Sequence, residues 1–546
     1  MLIVIALSAA VRLVNLDAYH TLVFDEHYYV HDAGSIVHGR IGPRQPSPWK
    51  PGDGRSLAHP PLGTLSIAVG ILTLGNDPWG WRVPSAIAGT LLIALVYPLA
   101  RRLRLSPAWA LVALLLAASD TMLIVESRVG VLDPFVALWS TACIYCALRY
   151  VQSGRPTRWL VACGAAGGLA LASKWSGILA LAAAVAIVVV DWARERRRAR
   201  AATNDELPTN GAVPTNGAVP TNDAVPTNGA VPANGAVPAG GTLPAGGIAA
   251  RLGRALACLV ALPLVLYVAS YADYFASGHT VRQWLHLQGY MATFNWQAHG
   301  NSPMASRPLT WIFDAEPIWY RWAIVPHGVL GMIAIGNPLL WWASIAAVVG
   351  LFWAAWRQRD VRLAVIPLLV CVLYLPWLAT SRVSYIYYLT PAIPFLAIAV
   401  AAALARLAGP VALRGRWAAL AFAAGALLMG FAAGGTPPVR LAALAAAVVV
   451  MATVMIVARR RAAASLRAPA ARLAATTEGT PAAEGAEAAR QPEPAAEEAS
   501  ARPMAVAAWL YTGAVAGLAV AWLPFLVSYV APFAYYARLA WFTTWR

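Results

Sequence analysis

Repeated apolar runs constrain the fold of this chain more than any other feature of its sequence. Of its 546 residues, 59% are hydrophobic and only 12% are charged. A helix needs about 20 consecutive apolar residues to cross the hydrocarbon core of a bilayer, where every backbone polar group must be paired within the helix. Many runs approach that length, so the sequence predicts an all-α, polytopic integral membrane protein.

Short polar segments separate the predicted membrane spans. The spans are Met1–Leu16, Arg82–Ala100, Ser106–Val125, Pro134–Arg149, Trp159–Val190, Ala255–Tyr271, Asn337–Trp356, Leu363–Ala379, Tyr385–Leu404, Trp417–Phe431, Leu441–Val457 and Ala505–Val530. We assign two short spans to Trp159–Val190, which gives 13 spans within a range of about 11–13. Pro61–Leu74 is apolar but short, and it suits a helix lying at the membrane interface. Met1–Leu16 lacks a basic leader, so we expect it to be retained as a helix.

The basic residues predict the orientation of the spans. The formal net charge is +17, and almost all of it comes from arginines in short clusters between apolar segments. This pattern orients helices and is not typical of a nucleic-acid-binding surface, so no nucleic-acid partner is expected. Placing the arginine clusters in the cytoplasm puts the N-terminus inside and the C-terminus outside. The first loop, 17–81, then faces outward.

The composition also predicts a division of the chain. We expect an N-terminal catalytic membrane module at 1–200, a disordered cytoplasmic linker at 201–250, a second membrane module at 251–461 with an external loop at 272–336, an Ala/Glu/Pro-rich cytoplasmic linker at 462–502, and a final helix with an external tail at 503–546. The first linker contains a P-T-N-G-A-V repeat between Pro208 and Pro244. Proline every six residues with Asn-Gly turns cannot bury a core.

Several polar islands lie between spans on the predicted outer face. Their ionisable residues are Asp25, Glu26, His59, Arg128, Asp133, Lys174 and Arg382. Lys174 is one of only two lysines in a chain that otherwise uses arginine, and a compact ammonium suits an anionic headgroup. Structural alternatives stay open for these islands: a solvated acidic loop, a paired Arg128–Asp133 boundary, and snorkelling of Lys174. An aromatic belt explains the tyrosines next to Arg382.

The residue types in these islands suit transfer from a lipid phosphate. A carboxylate accepts a proton from an attacking hydroxyl, while cations stabilise a phosphate leaving group. The sequence contains no P-loop, no H-E-x-x-H and no G-x-S-x-G, so nucleotide-driven and protease-like chemistry is not supported. The five cysteines lie in or beside apolar runs and are expected to be packing thiols, so no metal site is predicted.

Four islands in order resemble the protein O-mannosyltransferases, which are membrane glycosyltransferases of the GT-C fold. They read F-D-E-H-Y (Phe24–Tyr28), H-P-P-L-G (His59–Gly63), S-R-V-G-V-L-D (Ser127–Asp133) and S-K-W-S-G (Ser173–Gly177). The resemblance continues later in G-N-P-L-L-W-W (Gly336–Trp342), in the island with Arg382, Tyr387 and Tyr388, and in W-F-T-T-W-R (Trp541–Arg546), which is similar to the bacterial branch. The chain has no room for the soluble luminal domain of the eukaryotic members.

The resemblance implies an inverting transfer of mannose from polyprenyl phosphate mannose to Ser or Thr hydroxyls of secreted or translocating proteins. It implies no cofactor and no metal, and a place at the outer face of the cytoplasmic membrane, near the secretion machinery. Asp25 matches the catalytic acid position and is the expected general base, and Glu26 positions the acceptor or assists. Arg128, Lys174 and Arg382 are the expected donor-phosphate ligands. His59 and Asp133 shape the site.

This sequence departs from the family pattern in two places, the first concerning a cation of the site and the second concerning the acceptor. Thr64 follows Gly63 where the family usually has Lys, so one expected cation is absent. The external loop only loosely resembles the His- and Trp-rich segment of bacterial members. Trp296, His299 and Trp311 are candidates for an acceptor groove, and an interfacial aromatic belt explains them equally well.

Two other functions compete with this prediction. A related GT-C enzyme uses the same lipid-linked chemistry on a lipid or polysaccharide acceptor. A transporter is the other alternative, but transporters usually place ionisable groups near the midplane and show two related halves. Here the ionisable groups cluster at one face, and the only internal repeat is the Pro208–Pro244 one.

Overall fold

The computed structural model describes residues 1–39, 58–205, 245–297, 302–409, 416–433, 494–541 and 545. Helices dominate these ranges, as predicted. The first half contains α1 (Leu2–Leu13), α2 (Glu26–Gly39), α3 (Leu62–Leu74), α4 (Pro78–Arg102), α5 (Pro107–Ala118), α6 (Thr121–Glu126), α7 (Asp133–Gln152), α8 (Thr157–Ser173) and α9 (Ile178–Asp205).

The second half begins with a nearly continuous helical stretch, which is followed by shorter helices in the external loop. It contains α10 (Ala245–Leu256), a π-helical turn (Ala257–Ala261), α11 (Leu262–Ala269), α12 (Ala272–Ala276), α13 (Val281–Gln297) and α14 (Pro308–Trp311). Then follow α15 (Pro338–Gln358), α16 (Val365–Tyr374), α17 (Ile393–Ala408), α18 (Arg416–Ala433), α19 (Pro494–Leu526) and α20 (Phe533–Leu539). Short 3-10 segments occur at Trp175–Gly177, Val361–Ala364, Leu375–Ala379 and Ile386–Ala392.

Within the described ranges, eight helical segments are long and apolar enough to cross a membrane. Shorter apolar helices add Leu2–Leu13, Leu62–Leu74, Pro107–Ala118 and Trp417–Met429. These segments confirm a multi-pass membrane protein. The predicted span Leu441–Val457 and the Pro208–Pro244 repeat lie outside the described residues.

The predicted span Ser106–Val125 is wrong as a single helix. It is two helices, α5 and α6, because Asp120 caps the second one: its Oδ1 accepts from the Leu123 N–H at 2.9 Å. Its Oδ2 accepts from the indole N–H of Trp341 at 2.7 Å, which ties this break to α15. By contrast, the predicted division of Trp159–Val190 is confirmed, since α8 ends at Ser173 and α9 starts at Ile178.

A small antiparallel sheet in the external loop was not predicted. Strand β1 (Ile318–Val325) pairs with β2 (Gly328–Ala334), and β2 pairs with β3 (Val530–Ala531) near the end of the chain. Gly328 has φ of +151°, and a Cβ built there lies 2.1 Å from the Ala531 carbonyl oxygen. Only glycine lets the third strand approach so closely.

The centre of the bundle is the segment Ile386–Ala408, which includes α17. Of its most apolar 18-residue window, 89% is buried, compared with 33% for α15, so α17 is enclosed by other helices and α15 lies at the periphery. The residues just before α17 are therefore enclosed as well, which matters because they reach the candidate site.

Three helices connect the polar islands with the arginine clusters. Helix α4 starts near Arg82 and ends at Arg102, and α7 starts at Asp133 and ends at Gln152. Helix α9 follows Lys174 and ends at Asp205. At about 1.5 Å rise per residue, α4 and α9 are longer than the roughly 30 Å hydrocarbon core. The islands and the arginines therefore lie at opposite ends of the same helices.

Candidate active site

Asp25 lies at a tight turn that leads into α2. Phe24, the preceding residue, has φ of +47°, a left-handed conformation that non-glycine residues rarely adopt. Its ring stacks on Tyr320 of β1 with centroids 4.3 Å apart, which holds the turn. The backbone N–H groups of Tyr28 and Tyr29 bond to the Asp25 carbonyl. Asp25 is thus fixed at a helix N-terminus, where negative charge is favoured.

The Asp25 carboxylate has one hydrogen-bond donor from a distant part of the chain. The hydroxyl of Tyr387 donates to its Oδ2 at 2.9 Å. Burial raises the pKa of Asp25 to about 6, although the Tyr387 hydrogen bond and the positive charge of Lys174 both lower it. A carboxyl group with a pKa near neutrality is matched to proton abstraction at physiological pH.

Glu26, the neighbouring acid, has a different environment. It forms a buried ion pair with Arg82, whose Nε donates to Oε1 at 2.8 Å and whose second terminal nitrogen donates to Oε2 at 2.9 Å. The backbone N–H groups of Val23 and Gly130 also donate to it, at 2.9 and 2.8 Å. The Glu26 side chain is fully buried. The geometry therefore does not support the expected direct role in catalysis, because both oxygens are occupied inside the protein.

Arg82 also connects this ion pair to the backbone between α1 and α2. Besides Glu26, it donates to the backbone carbonyls of Leu16 and Tyr19, at 2.8 and 3.0 Å, and to that of Thr21 at 3.2 Å. One guanidinium thus joins the start of α4 to the chain that precedes Asp25. Buried charges are tolerated when paired and hydrogen-bonded in this way.

Lys174 and Asp133 form a second buried pair. The ammonium lies 3.0 and 3.1 Å from the two carboxylate oxygens of Asp133. Asp133 is the first residue of α7, and Lys174 is the extended residue between α8 and the following 3-10 turn. The break in the helix is what allows Lys174 to leave the helical path and meet the start of α7.

Tyr387 and Tyr388 surround this ammonium, so the prediction of an interfacial belt for them was wrong. Both are buried, at 4% and 5% exposure. The Lys174 nitrogen lies 4.5 Å from the ring centroid of Tyr388 and 5.3 Å from that of Tyr387. Arg382 lies 5.6 Å from the Tyr388 centroid. Two cations therefore converge on one ring, next to the carboxylate that Tyr387 holds.

Arg382 is also linked to the external loop. One terminal nitrogen donates to Asn295 Oδ1 at 2.6 Å, and the other to the Tyr388 hydroxyl at 3.1 Å. The Asn295 amide donates in turn to the Ala58 carbonyl at 2.7 Å. Helix α13 is thereby connected to the segment that carries His59.

His59 lies beside both cations. Burial, with the positive charges of Lys174 and Arg382, lowers the pKa of His59 well below its usual value. It is therefore a neutral imidazole at neutral pH. Gly63, one turn later, allows α3 to pack against the Ser127–Asp133 island, since a Cβ there lies 2.5 Å from Leu132 Cδ2.

Arg128 does not reach this group of residues. Its guanidinium donates to the backbone carbonyls of Val11 and Arg12, at 2.7 and 3.1 Å, and to that of Asn15 at 3.3 Å. These carbonyls belong to the last turn of α1 and the residues after it, which attract a cation. The side chain is 1% exposed. The geometry therefore supports a helix-terminating role and not the expected donor-phosphate contact.

Glu126 is a further buried acid near the site that was not predicted. It accepts a hydrogen bond from the Tyr320 hydroxyl, and Tyr320 is the residue on which Phe24 stacks. Through Tyr320, strand β1 of the unpredicted sheet thus packs against the turn at Asp25. The sequence feature that could have indicated this residue is its position, a glutamate at the end of an apolar run and directly before the Ser127–Asp133 island.

The three candidates for the acceptor groove have different positions. Trp296 is 83% exposed on α13, as expected for a residue open to a partner or to lipid. Trp311 is fully buried and donates to Ser306 Oγ at 2.9 Å, so it does not line an open groove, contrary to expectation. His299 lies outside the described residues.

The structure thus brings Asp25, His59, Asp133, Lys174 and Arg382 together. Sequence reasoning did not assign Tyr387 and Tyr388 as site residues, although they belong to the same island as Arg382, and it did not identify Asn295. Among the described residues, no group of three or more His, Cys, Asp and Glu side chains is arranged to hold a metal ion. The arrangement offers one carboxylate for proton abstraction and two cations for an anionic leaving group.

Comparisons with known proteins show what this chain is similar to. The model of the dolichyl-phosphate-mannose-protein mannosyltransferase family matches residues 58–202. A polyprenol-phosphate-mannose–protein mannosyltransferase of Corynebacterium glutamicum is 27% identical over 457 residues, which is 71% of this chain and 78% of that protein. The protein of the same name from Mycolicibacterium smegmatis is 27% identical over 463 residues, covering 73% and 80% of the two chains.

A solved structure has the same fold. The S. cerevisiae protein O-mannosyltransferase Pmt1-Pmt2 complex bound to the sugar donor aligns with a TM-score of 0.61 at 12% identity. The alignment covers 100% of this chain and 92% of that one.

Proposed function

We propose that this chain, a homologue of the protein O-mannosyltransferases, transfers mannose from polyprenyl phosphate mannose to Ser or Thr hydroxyls of proteins. The resemblance seen in its motifs is confirmed by these matches, and its GT-C architecture by the yeast structure. The comparisons establish its kinship with glycosyltransferases. The assignment of roles to individual residues is our proposal.

One observation carries the proposal: of the three predicted acids, only Asp25 is left without a cationic partner in the described part of the chain. Glu26 is paired with Arg82, and Asp133 with Lys174. Asp25 is held by an uncharged donor, Tyr387, and its pKa is about 6. A carboxylate in this state is free to take a proton, whereas the paired acids are committed to structure.

The reaction then follows from the positions of the charges. Asp25 accepts the proton of the acceptor hydroxyl as its oxygen attacks the anomeric carbon of mannose. The bond from that carbon to the phosphate oxygen breaks, and its electron pair leaves with the polyprenyl phosphate. Lys174 and Arg382 stabilise the departing phosphate. Attack opposite the leaving group inverts the configuration at the anomeric carbon.

The surrounding residues orient these three. Neutral His59 adds no charge of its own between the cations, and it remains able to hydrogen-bond the donor. Asp133 holds the Lys174 ammonium in place. Glu26 and Arg128 act through the backbone of the loop that presents Asp25.

The arginine clusters support the proposed location. With those clusters in the cytoplasm, the Asp25 site opens on the outer face of the cytoplasmic membrane. The acceptors are then secreted or translocating proteins, met near the secretion machinery. Trp296 on α13 is positioned on the exposed side of the external loop to contact such a chain.

A transfer assay in membranes tests this function. Radiolabelled polyprenyl phosphate mannose and a Ser/Thr-rich peptide are incubated with excess chelator and with wild type or Asp25→Asn. We expect label in the peptide with wild type only, and no effect of the chelator. Label that enters lipid or polymer instead would assign the chain to a related enzyme with another acceptor. Wild-type transfer by the variant would remove Asp25 as the base.

A further inference from the structure

A large cavity lies at the arginine-rich ends of the long helices, far from Asp25. Its volume is about 1180 Å³, and it lies between the ends of α4 and α7, one face of α9, and the segment Val361–Val372. Sites for small molecules usually measure about 300–1,000 Å³, so this one admits a larger ligand. We call it the arginine groove.

The groove follows one face of α9. Its apolar part includes Ala183, Ile187 and Val190, and its charged part includes Arg194 and Arg198, at the spacing of three and four that defines a helix face. The stretch from Ala183 to Arg198 spans about 22 Å at 1.5 Å per residue. The groove is therefore apolar at one end and charged at the other.

The charged end is strongly cationic. The lining contains seven arginines and two carboxylates, a net formal charge of +5. Both carboxylates already have partners: Arg155 lies 2.8 Å from Asp191 and 3.2 Å from Glu195. Among the described residues, no carboxylate pairs with Arg194, Arg198 or the remaining lining arginines of α4. Arginines that line one cavity without counter-charge favour a phosphate.

We propose that the arginine groove binds an anionic diacyl phospholipid. Its phosphate would lie among Arg194, Arg198, Arg102 and Arg362, and its acyl chains along the apolar part towards Ala183. The lipid matches both ends of the groove at once, since basic pockets between membrane helices are suited to anionic headgroups. A soluble phosphate would leave the apolar end empty, and a neutral lipid would leave the arginines uncompensated.

This site is independent of the proposed sugar transfer. It lies at the opposite ends of α4, α7 and α9 from Lys174 and Asp133, on the face that we propose is cytoplasmic. Binding is measured directly on the purified protein, so failure of the transfer assay and failure of this proposal are distinguishable.

Helix α9 offers two matched pairs of variants. Arg194→Gln/Arg198→Gln removes two charges from the groove, whereas Arg196→Gln/Arg197→Gln removes two charges from the same helix outside the lining. Val190→Trp fills the apolar part, whereas Val189→Trp adds the same bulk to a neighbour that is 53% exposed and outside the lining.

The experiment is a lipid titration followed by native mass spectrometry of the intact, full-length protein. The probes are phosphatidylglycerol and phosphatidylcholine with identical acyl chains, with polyprenyl phosphate as a third lipid. Wild type should bind one phosphatidylglycerol in preference to phosphatidylcholine. Arg194→Gln/Arg198→Gln should weaken it about 10- to 30-fold, as expected for about 1 kcal/mol per arginine. Val190→Trp should weaken it too, and both control variants should bind like wild type.

Three results would overturn the proposal. Equal losses in the two arginine double variants would reduce the effect to general surface charge. Equal binding of both phospholipids would remove the phosphate-recognition role. Preferential binding of polyprenyl phosphate would replace the diacyl lipid with a different occupant. Gel filtration of each variant checks that any loss is not due to unfolding.

Discussion

The Tyr387 hydroxyl donates a 2.9 Å hydrogen bond to Asp25, from a residue 362 positions away in the chain. This contact joins the first external loop to the segment that enters the central helix α17. It is one of the contacts through which the two membrane modules predicted from the sequence meet at the site. Both the orientation of the carboxylate and its protonation depend on it.

Tyr387→Phe should therefore change the pH dependence of transfer. A hydrogen bond to the carboxylate stabilises its charged form, so removal of the hydroxyl raises the Asp25 pKa above about 6. The base is active when deprotonated, so kcat/KM in wild type should fall as pH drops through about 6. In Tyr387→Phe, this acid limb of the pH profile should move to higher pH, so kcat/KM should fall more, relative to wild type, at pH 6 than at pH 8.

Tyr385→Phe is the control for that profile. The Tyr385 ring stacks on Tyr387 with centroids 5.5 Å apart, but its hydroxyl is not the one bonded to Asp25. An unshifted acid limb in Tyr387→Phe would show that this hydrogen bond does not set the ionisation of the base.

His59→Asn tests whether the acid limb of the pH profile belongs to Asp25 or to His59, since imidazole is the side chain that ordinarily titrates near neutrality. Because the pKa of His59 is well below its usual value, the imidazole is already neutral across the pH range of the acid limb. The limb near pH 6 should persist in the variant, whatever the change in maximal rate. Its disappearance would assign the titration to His59 and not to Asp25.

Lys174→Gln should raise the donor KM and also lower the melting temperature, because it leaves the buried Asp133 carboxylate without its partner. Loss of a charge-assisted contact with the phosphate, worth about 1.5–3 kcal/mol, corresponds to roughly a 10- to 150-fold rise in the donor KM. Arg128→Gln should instead lower the melting temperature without changing the donor KM, because its partners are carbonyls near the end of α1. A raised donor KM in Arg128→Gln, together with an unchanged donor KM in Lys174→Gln, would restore Arg128 as the phosphate ligand.

Arg82→Leu should be strongly destabilising. Removing one partner of a buried pair leaves the Glu26 charge uncompensated, at a cost of about 3–5 kcal/mol. Arg82→Leu/Glu26→Leu should be less destabilised than the sum of the two single variants. Thermal unfolding in detergent measures all three. Additive losses would show that the two side chains are not coupled.

The sequence predicts the membrane class and much of the site, but not which residues meet. Lys174 was identifiable because a lone lysine interrupts an apolar run, and the structure places it at a helix break. Asp25 and Glu26 are adjacent and chemically similar, so sequence alone does not separate them. Their roles differ because Arg82, 56 residues later, captures only Glu26.

Some of the features that were missed depend on contacts between residues far apart in the sequence, and others are local. Tyr387 and Tyr388 have the composition of an interfacial belt, and only their burial between Asp25, Lys174 and Arg382 gives them a role in the site. Strands β1 and β2 form a hairpin within the external loop, and only the pairing of β2 with β3 depends on a segment about 200 residues away. The break at Asp120 is a local cap that apolar periodicity does not reveal.

The most direct test of the account is to compare Asp25→Asn with Glu26→Gln in peptide transfer and in thermal unfolding. Asp25→Asn should reduce transfer by about 100- to 10,000-fold, the range for loss of a general base, while the melting temperature stays near wild type. Glu26→Gln should lower the melting temperature and retain transfer at temperatures where it is folded. If Asp25→Asn retains wild-type transfer while a folded Glu26→Gln loses it, Asp25 is not the base, and the proposed mechanism is wrong.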